Sequence, residues 1–286
     1  MKFLVANAQT KPFLGDIDAN LNIIESMVKS AKKKNVKLLV FPELSLTGYF
    51  LKDFVPDVAQ KKNSKLIKHI ASLSEGISIV LGFVEESSRH VFYNSAAYFE
   101  NGKLIYIHRK IYLPTYGMFD ESRYFGSGKR IGAFDTNIGR VAILICEDAW
   151  HPSLAFLASQ DGADYLIIPS SSPFRGTNQA KSKSNLAIER SWESILATYS
   201  ITYNQFVVFS NRIGYEDGVN FWGGSRIVSP EGKTIKKAPR SSSSIYSVEV
   251  DSKDIRRSRI ASPTYRDEKT LLFQKEFNRI QSGKKN

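Results

Sequence analysis

The chain contains one cysteine, Cys146, which closes the apolar run Val141-Ala142-Ile143-Leu144-Ile145 and stands directly before Glu147-Asp148. Alone it can form neither an internal disulfide nor a multi-cysteine metal site, so it is either a small core residue or a nucleophile. Two other apolar runs end on reactive side chains. Leu38-Leu39-Val40-Phe41 stops at Pro42 and delivers the carboxylate of Glu43, and Tyr106-Ile107-His108-Arg109 delivers the ammonium of Lys110. Taken singly, Glu43 could cap a loop and Lys110 could be one more surface lysine. Together the three side chains suit acyl transfer, because open α/β folds assemble sites from the ends of distant strands. Thiol sulfur attacks well only as thiolate and needs a neighbouring cation or base. Lys110 would favour the thiolate and later an oxyanion. Glu43 would carry the proton between sulfur and a leaving amine.

The elements that must hold these ends are short apolar runs alternating with amphipathic stretches. Residues 3–8, 36–41 and 77–84 read as strands. Residues 18–34 read as a helix, with Leu21, Ile24, Met27, Val28 and Ala31 at helical spacing and Asp16 or Asp18 as N-cap. A second helix is predicted over 65–74. Asn101-Gly102, between strands at 93–99 and 103–108, marks a hairpin. Strands at 141–145 and 165–168 flank a helix at 153–160. A long helix over 180–198 and strands at 206–210, 224–228 and 245–250 follow. This mixture predicts an α/β layer protein rather than a pure parallel barrel. No linker or repeat divides the 286 residues, so one domain over 1–286 is expected. Residues 251–286 read as a C-terminal arm, with Arg256, Arg257 and Arg259 and a helix over 267–280. Such an arm needs a surface to pack on, for which a second subunit is the candidate.

At 42% hydrophobic and 24% charged residues the composition is that of a soluble globular protein. No apolar stretch approaches the roughly 20 residues that span a bilayer. The N-terminal segment reads as a first strand rather than a signal peptide. With its unpaired thiol, this places the expected location in the cytoplasm. The net charge of +12 raises nucleic acid as a partner. However, the basic groups (Lys32 to Lys34, Lys61-Lys62, Lys181 and Lys183, Lys233 to Lys237, Lys284-Lys285) lie beside turns or on polar faces. With no zinc-finger spacing and no basic–aromatic stretch, nucleic acid is not an expected partner.

Phe41-Pro42-Glu43-Leu44-Ser45-Leu46-Thr47-Gly48-Tyr49, His108-Arg109-Lys110-Ile111-Tyr112-Leu113-Pro114 and Ile145-Cys146-Glu147-Asp148-Ala149-Trp150 resemble three signatures of the nitrilase superfamily of carbon–nitrogen hydrolases. Order and spacing match, and the resemblance runs from the first strand to the C-terminal arm. It implies an αββα sandwich of the α/β class, a Glu-Lys-Cys triad on Glu43, Lys110 and Cys146, and homodimers or larger assemblies. It implies no metal and no organic cofactor. Tyr116-Gly117-Met118-Phe119-Asp120-Glu121-Ser122-Arg123-Tyr124-Phe125 is similar to the family segment with an additional site glutamate, which puts Glu121 in the site. Without the resemblance, Glu121 would read as a loop carboxylate paired with Arg123. In the implied reaction Cys146 gives an acyl thioester that water hydrolyses. Lys110 and the backbone N–H of Glu147 stabilise the oxyanion. His108 and His151 read as structural or supporting residues.

The segments around Cys146 and Glu121 are most similar to the glutaminase portion of glutamine-dependent NAD synthetases, which also carry an ATP-using domain with a phosphate loop. Gly223-Gly224-Ser225 is not such a loop. Phe221-Trp222-Gly223-Gly224-Ser225 and Ser229-Pro230-Glu231-Gly232 are shared with free-standing amidases. The expected substrate is therefore a small amide or carbamoyl compound. The alternative is a glutaminase subunit feeding ammonia to a separate synthetase, followed by a nitrilase proper or a non-catalytic binding protein. Candidate substrate contacts are Tyr49, Phe50, Glu147, Trp150, Ser171, Phe174 and Arg175, with the stretch 216–222 nearby. Of these, Arg175 could receive a carboxylate or Glu216 an amine.

Overall fold

The structure, a computed structural model, describes residues 1–174 and 186–283. The first sheet is built from β1 (Lys2–Gln9), β2 (Val36–Val40), β3 (Ser78–Glu86), β4 (Phe92–Glu100), β5 (Lys103–Arg109) and, late in the chain, Ser244–Asp251. The second is built from β6 (Ala133–Thr136), β7 (Gly139–Ile143), β8 (Tyr165–Ser170) and β9 (Phe206–Asn211). A separate ribbon pairs β10 (Ile213–Glu216) with β11 (Val219–Trp222), and β12 (Arg226–Val228) and β13 (Thr234–Lys237) return to the second sheet. With Ser244–Asp251 as β14, the two sheets run β14-β1-β2-β3-β4-β5 and β13-β12-β9-β8-β7-β6.

Alternation along the strands decides the layers. Val5, Leu38, Val40 and Val80 of the first sheet face Val141, Ile143, Ile167 and Val208 of the second across a shared core. The intervening Leu39, Ile79 and Leu81 point outward, beneath Ile24 and Val28 of the Ile17–Lys33 helix and Ile67 and Ile70 of the Lys65–Ser72 helix. On the far side, Leu154 and Ala158 of the Pro152–Gln160 helix and Trp192 and Leu196 of the Ala187–Tyr203 helix cover Leu166, Ile168 and Phe209. The layers are therefore α, β, β, α, as the resemblance implied. Full burial of each Val, Ile or Leu stabilises the sandwich by about 1.5–3 kcal/mol.

Local signals held where they were strong. Asp16 caps the first helix by accepting a hydrogen bond from Ala19 N–H. Asn101 and Gly102, at φ +51° and +71°, make the tight turn between β4 and β5. Three differences stand out. The β7 strand spans Gly139–Ile143 and leaves the ladder two residues earlier than expected, because Leu144 and Ile145 lead into a tight turn at Cys146. The arm begins with a helix at Lys253–Ala261, anchored by buried Ile255 and Ser258, before the Thr270–Gly283 helix. The sequence reading missed the short strands β6 and β13 and the β10–β11 ribbon, whose half-buried residues alternate weakly. The expected helix over 180–198 begins outside the described residues and continues to Tyr203. No helix among the described residues is long and apolar enough to cross a membrane.

Candidate active site

The ends of β2, β5, β7 and β8 converge at one rim of the sandwich. Glu43 follows β2 after Pro42, and its backbone lies against Gly82 of β3. A Cβ at residue 82 would come within 2.3 Å of Leu44 N and 2.7 Å of Pro42 O, so only glycine admits the Glu43 turn. Lys110 follows β5 and is fixed to β4 by its N–H to the Asn94 carbonyl at 2.8 Å. Cys146 opens a short 3₁₀ turn, Cys146–Trp150, with φ +44°. A non-glycine residue in this left-handed region costs of order 1–3 kcal/mol and is held only where surrounding structure over-determines it.

Lys110 is the centre of a buried charge cluster. Its Nζ donates to Glu43 Oε1 at 2.7 Å and to Glu121 Oε1 at 2.6 Å, with the three side chains at most 5% exposed. Glu121 thus pairs with Lys110, not with Arg123. Glu43 Oε1 also accepts from Asn94 Nδ2 at 2.8 Å, and Oε2 accepts from Ser171 N–H at 2.8 Å. The Glu43 carboxylate is therefore oriented from both sheets, Oε1 from the first and Oε2 from the second. The buried Tyr49 hydroxyl donates to Glu121 Oε1, whereas Glu121 Oε2 has no hydrogen-bond partner among the described residues. Cys146 keeps part of its surface accessible, and Ser170 Oγ donates to its sulfur at 3.2 Å.

These contacts set the proton inventory. Burial pulls the Lys110 ammonium down, but Glu121 and Glu43 more than offset it, holding Lys110 well above the usual lysine range and cationic. Burial pushes the Cys146 thiol well up and Glu43 adds to it, while Lys110 and Ser170 oppose. The Lys110 charge pulls towards the thiolate, in the expected direction, while desolvation and the Glu43 charge pull the other way and prevail. Burial pushes the Glu121 carboxyl up to about 7 against the pull of Lys110, with Glu43 raising it further. Burial and Glu121 push the Tyr49 phenol well above its usual range, so it remains a donor.

The remaining candidates divide. Glu147 lies at the mouth, where exposed Tyr116 donates to both its oxygens at 3.1 and 2.9 Å. Trp150 is 36% exposed and meets the buried Trp192 edge-on. Phe174 packs on the outer core beside Trp192 and Trp222. Phe50 meets Tyr49 and Phe221. Ser171 turns both its N–H and its hydroxyl onto Glu43. Arg175 lies outside the described residues. Glu216 is not available to a substrate amine: its oxygens accept from Tyr49 N–H, Phe50 N–H and the buried Arg212 guanidinium. Sequence reasoning passed over Asn94. The one usable signal for Asn94 was an amide beside Ser95 inside a largely apolar strand. No group of three or more His, Cys, Asp or Glu placed to hold a metal occurs among the described residues.

A sandwich of this build, with a lone cysteine at its rim, is the frame of enzymes that hydrolyse carbon–nitrogen bonds. The chain belongs to the carbon–nitrogen hydrolase family, whose sequence pattern matches residues 4–260, and so to the nitrilase superfamily. It is 31% identical over 252 residues to a glutamine-dependent NAD(+) synthetase of Acinetobacter baylyi, covering 87% of this chain and 44% of that one. The chain thus spans less than half the length of that relative. Nit3 of Saccharomyces cerevisiae, a branch 10 member of the superfamily, superposes with TM-score 0.78 at 25% identity, covering 92% of this chain and 94% of that one. A carbon–nitrogen hydrolase of Helicobacter pylori has the same fold, with TM-score 0.86 at 23% identity over 97% and 99% of the two chains.

Proposed function

We propose that this protein is an amidase that hydrolyses a small amide or carbamoyl compound through a thioester on Cys146. The observation that carries the reading is the placement of the Lys110 ammonium between Glu43 and Glu121, in a cluster whose charges act on the Cys146 sulfur. As sulfur attacks the carbonyl carbon, Glu43 takes the thiol proton, so the nucleophile is generated only during attack. Lys110 and the backbone N–H of Glu147 stabilise the oxyanion. The C–N bond breaks as Glu43 returns the proton to the departing nitrogen, releasing ammonia or an amine. Glu43 then deprotonates water, which attacks the thioester and yields the acid and the free thiol. Neither a metal nor an organic cofactor enters these steps.

Glu121 Oε2, without a partner among the described residues, is suited to accept an N–H of the substrate amide. That role requires the ionised form. The rate is therefore expected to rise with pH through about 7, where Glu121 loses its proton. Ionisation also makes Glu43 the stronger base. A pH–rate profile of Glu121→Gln should lose this limb; a limb kept unchanged would remove Glu121 from the reaction.

Exposure of the full chain to a mixed pool of amides and carbamoyl compounds, followed by intact-mass measurement, tests the reaction. An acyl adduct confined to Cys146 supports it and names the acyl group; ammonia release without an adduct would sink it. A second reading is a glutaminase supplying ammonia to a synthetase, favoured by the 31% identity to an NAD(+) synthetase and by Glu147 and Tyr116 at the mouth, which suit an α-amino group. Glutamine as the preferred acyl donor would decide for it.

We also read 1–286 as one domain acting in the cytoplasm, and its assembly as a homodimer or larger. Exposed Leu271, Leu272, Phe273 and Phe277 on the Thr270–Gly283 helix favour an arm that packs on a second copy.

A further inference from the structure

Asp148 lies two residues beyond Cys146 and is fully buried. Its Oδ1 accepts from the N–H groups of Ile111 and Tyr112, both at 2.9 Å. Its Oδ2 accepts from Ile145 N–H at 3.0 Å and from His108 Nε2 at 2.8 Å. The first two donors directly follow Lys110, the third directly precedes Cys146, and the fourth lies two residues before Lys110 on β5. We propose that Asp148 and His108 are positioning residues, a buried clamp that fixes the Lys110 strand end of one sheet against the Cys146 turn of the other.

The count of hydrogen bonds separates this role from direct chemistry. A carboxylate offers about four acceptor positions, and all four are used. Asp148 therefore has no lone pair left for a thiol proton, a water or an amide. Its work is geometric: one rigid group takes donors from both sides of the site, so a shift of either segment must break a bond to buried charge. His108 supplies the one side-chain donor. It is 1% exposed, and Nδ1 has no partner among the described residues, where Asp148 is the imidazole's one hydrogen-bond partner. The clamp also gives a reason why Cys146 can be held at φ +44°. The Asp148 N–H donates back to Ile145 O at 3.0 Å, closing the turn that carries the thiol.

The inference rests on Cys146 and Lys110 forming the reactive pair, and its test keeps the two readings apart. The full-length protein, Asp148→Asn, His108→Leu and His108→Gln are compared in two assays, at a temperature where near-ultraviolet circular dichroism shows each to be folded. The first is alkylation of the single cysteine by iodoacetamide against pH, read by intact mass; it needs no substrate. The second is amide turnover per titrated site.

Misplacing a reacting group by about 1 Å costs on the order of 100-fold in rate. Asp148→Asn and His108→Leu should therefore lose about 10- to 100-fold in kcat with KM changed less than about threefold. Their alkylation midpoint should move down towards that of an ordinary cysteine. His108→Gln places an amide donor near the position of Nε2 and should recover both readouts to within about threefold. A role in stability alone would lower the melting temperature and leave the midpoint and kcat per folded site in place, and that result overturns the clamp. Unchanged alkylation in His108→Leu overturns it even if Asp148→Asn does not fold. Absence of any amide turnover in the parent refutes the proposed function, and the alkylation midpoints still decide the clamp.

Discussion

Cys146→Ala is expected to lower turnover by about 10⁶-fold, to the background rate, with the fold retained. Removing the nucleophile of an enzyme that works through a covalent intermediate costs about that much, because the remaining groups have no atom on which to build the acyl species. The structural cost is small. Alanine at φ +44° bears the same backbone strain as cysteine, and the change takes the sulfur from the Ser170 hydroxyl and from the Ser171 N–H, which keeps Glu43 as an acceptor. Ammonia release, the disappearance of the acyl adduct and an unaltered circular dichroism spectrum together check this. A variant that still hydrolyses the preferred amide at even one-hundredth of the parental rate would remove Cys146 from the mechanism.

Lys110→Met is expected to damage both chemistry and stability. Loss of one preorganised charge at a developing oxyanion costs about 10²–10³-fold in kcat. The stability effect follows from burial. Glu43 and Glu121 share the Lys110 ammonium, and neither is more than 5% exposed, so its removal leaves two carboxylates facing each other without a cation. Breaking a buried ion pair from one side destabilises by about 3–5 kcal/mol. Urea denaturation of the folded variant measures this. A double change, Lys110→Met with Glu121→Gln, should recover part of the stability and none of the rate. Equal stability of the single and double variants would mean that mutual repulsion of the two carboxylates is not the cause.

A good deal of the site was readable because its chemistry lies at the ends of apolar strands. Pro42-Glu43 and Cys146 are punctuation between a buried strand and a loop, a strand buried on both faces showing itself as a run of Val, Ile and Leu, and Lys110 ends the half-buried edge strand β5. Their immediate neighbours carry recognisable local words. The supporting groups were not readable in the same way. Asn94 meets Glu43 across 51 positions of sequence, Tyr49 meets Glu121 across 72, and Tyr49 N–H meets Glu216 across 167. Glu216 could be mistaken for a substrate receptor because nothing local announces that Arg212 will be buried against it.

The sequence by itself determined most of the longer elements and singled out Glu43, Lys110 and Cys146 as candidate reactive groups. These depend on periodicity, capping and turn chemistry, which act over a few residues. Only the tertiary structure decided which charges meet and in what protonation state. Burial and Coulomb interactions depend on how two sheets are registered against each other. Lys110 becomes a shared cation because β2 and β5 of the first sheet bring Glu43 and Lys110 to one rim beside Glu121, and the facing of the two sheets brings Glu43 to bear on the Cys146 thiol and fills every acceptor position of Asp148.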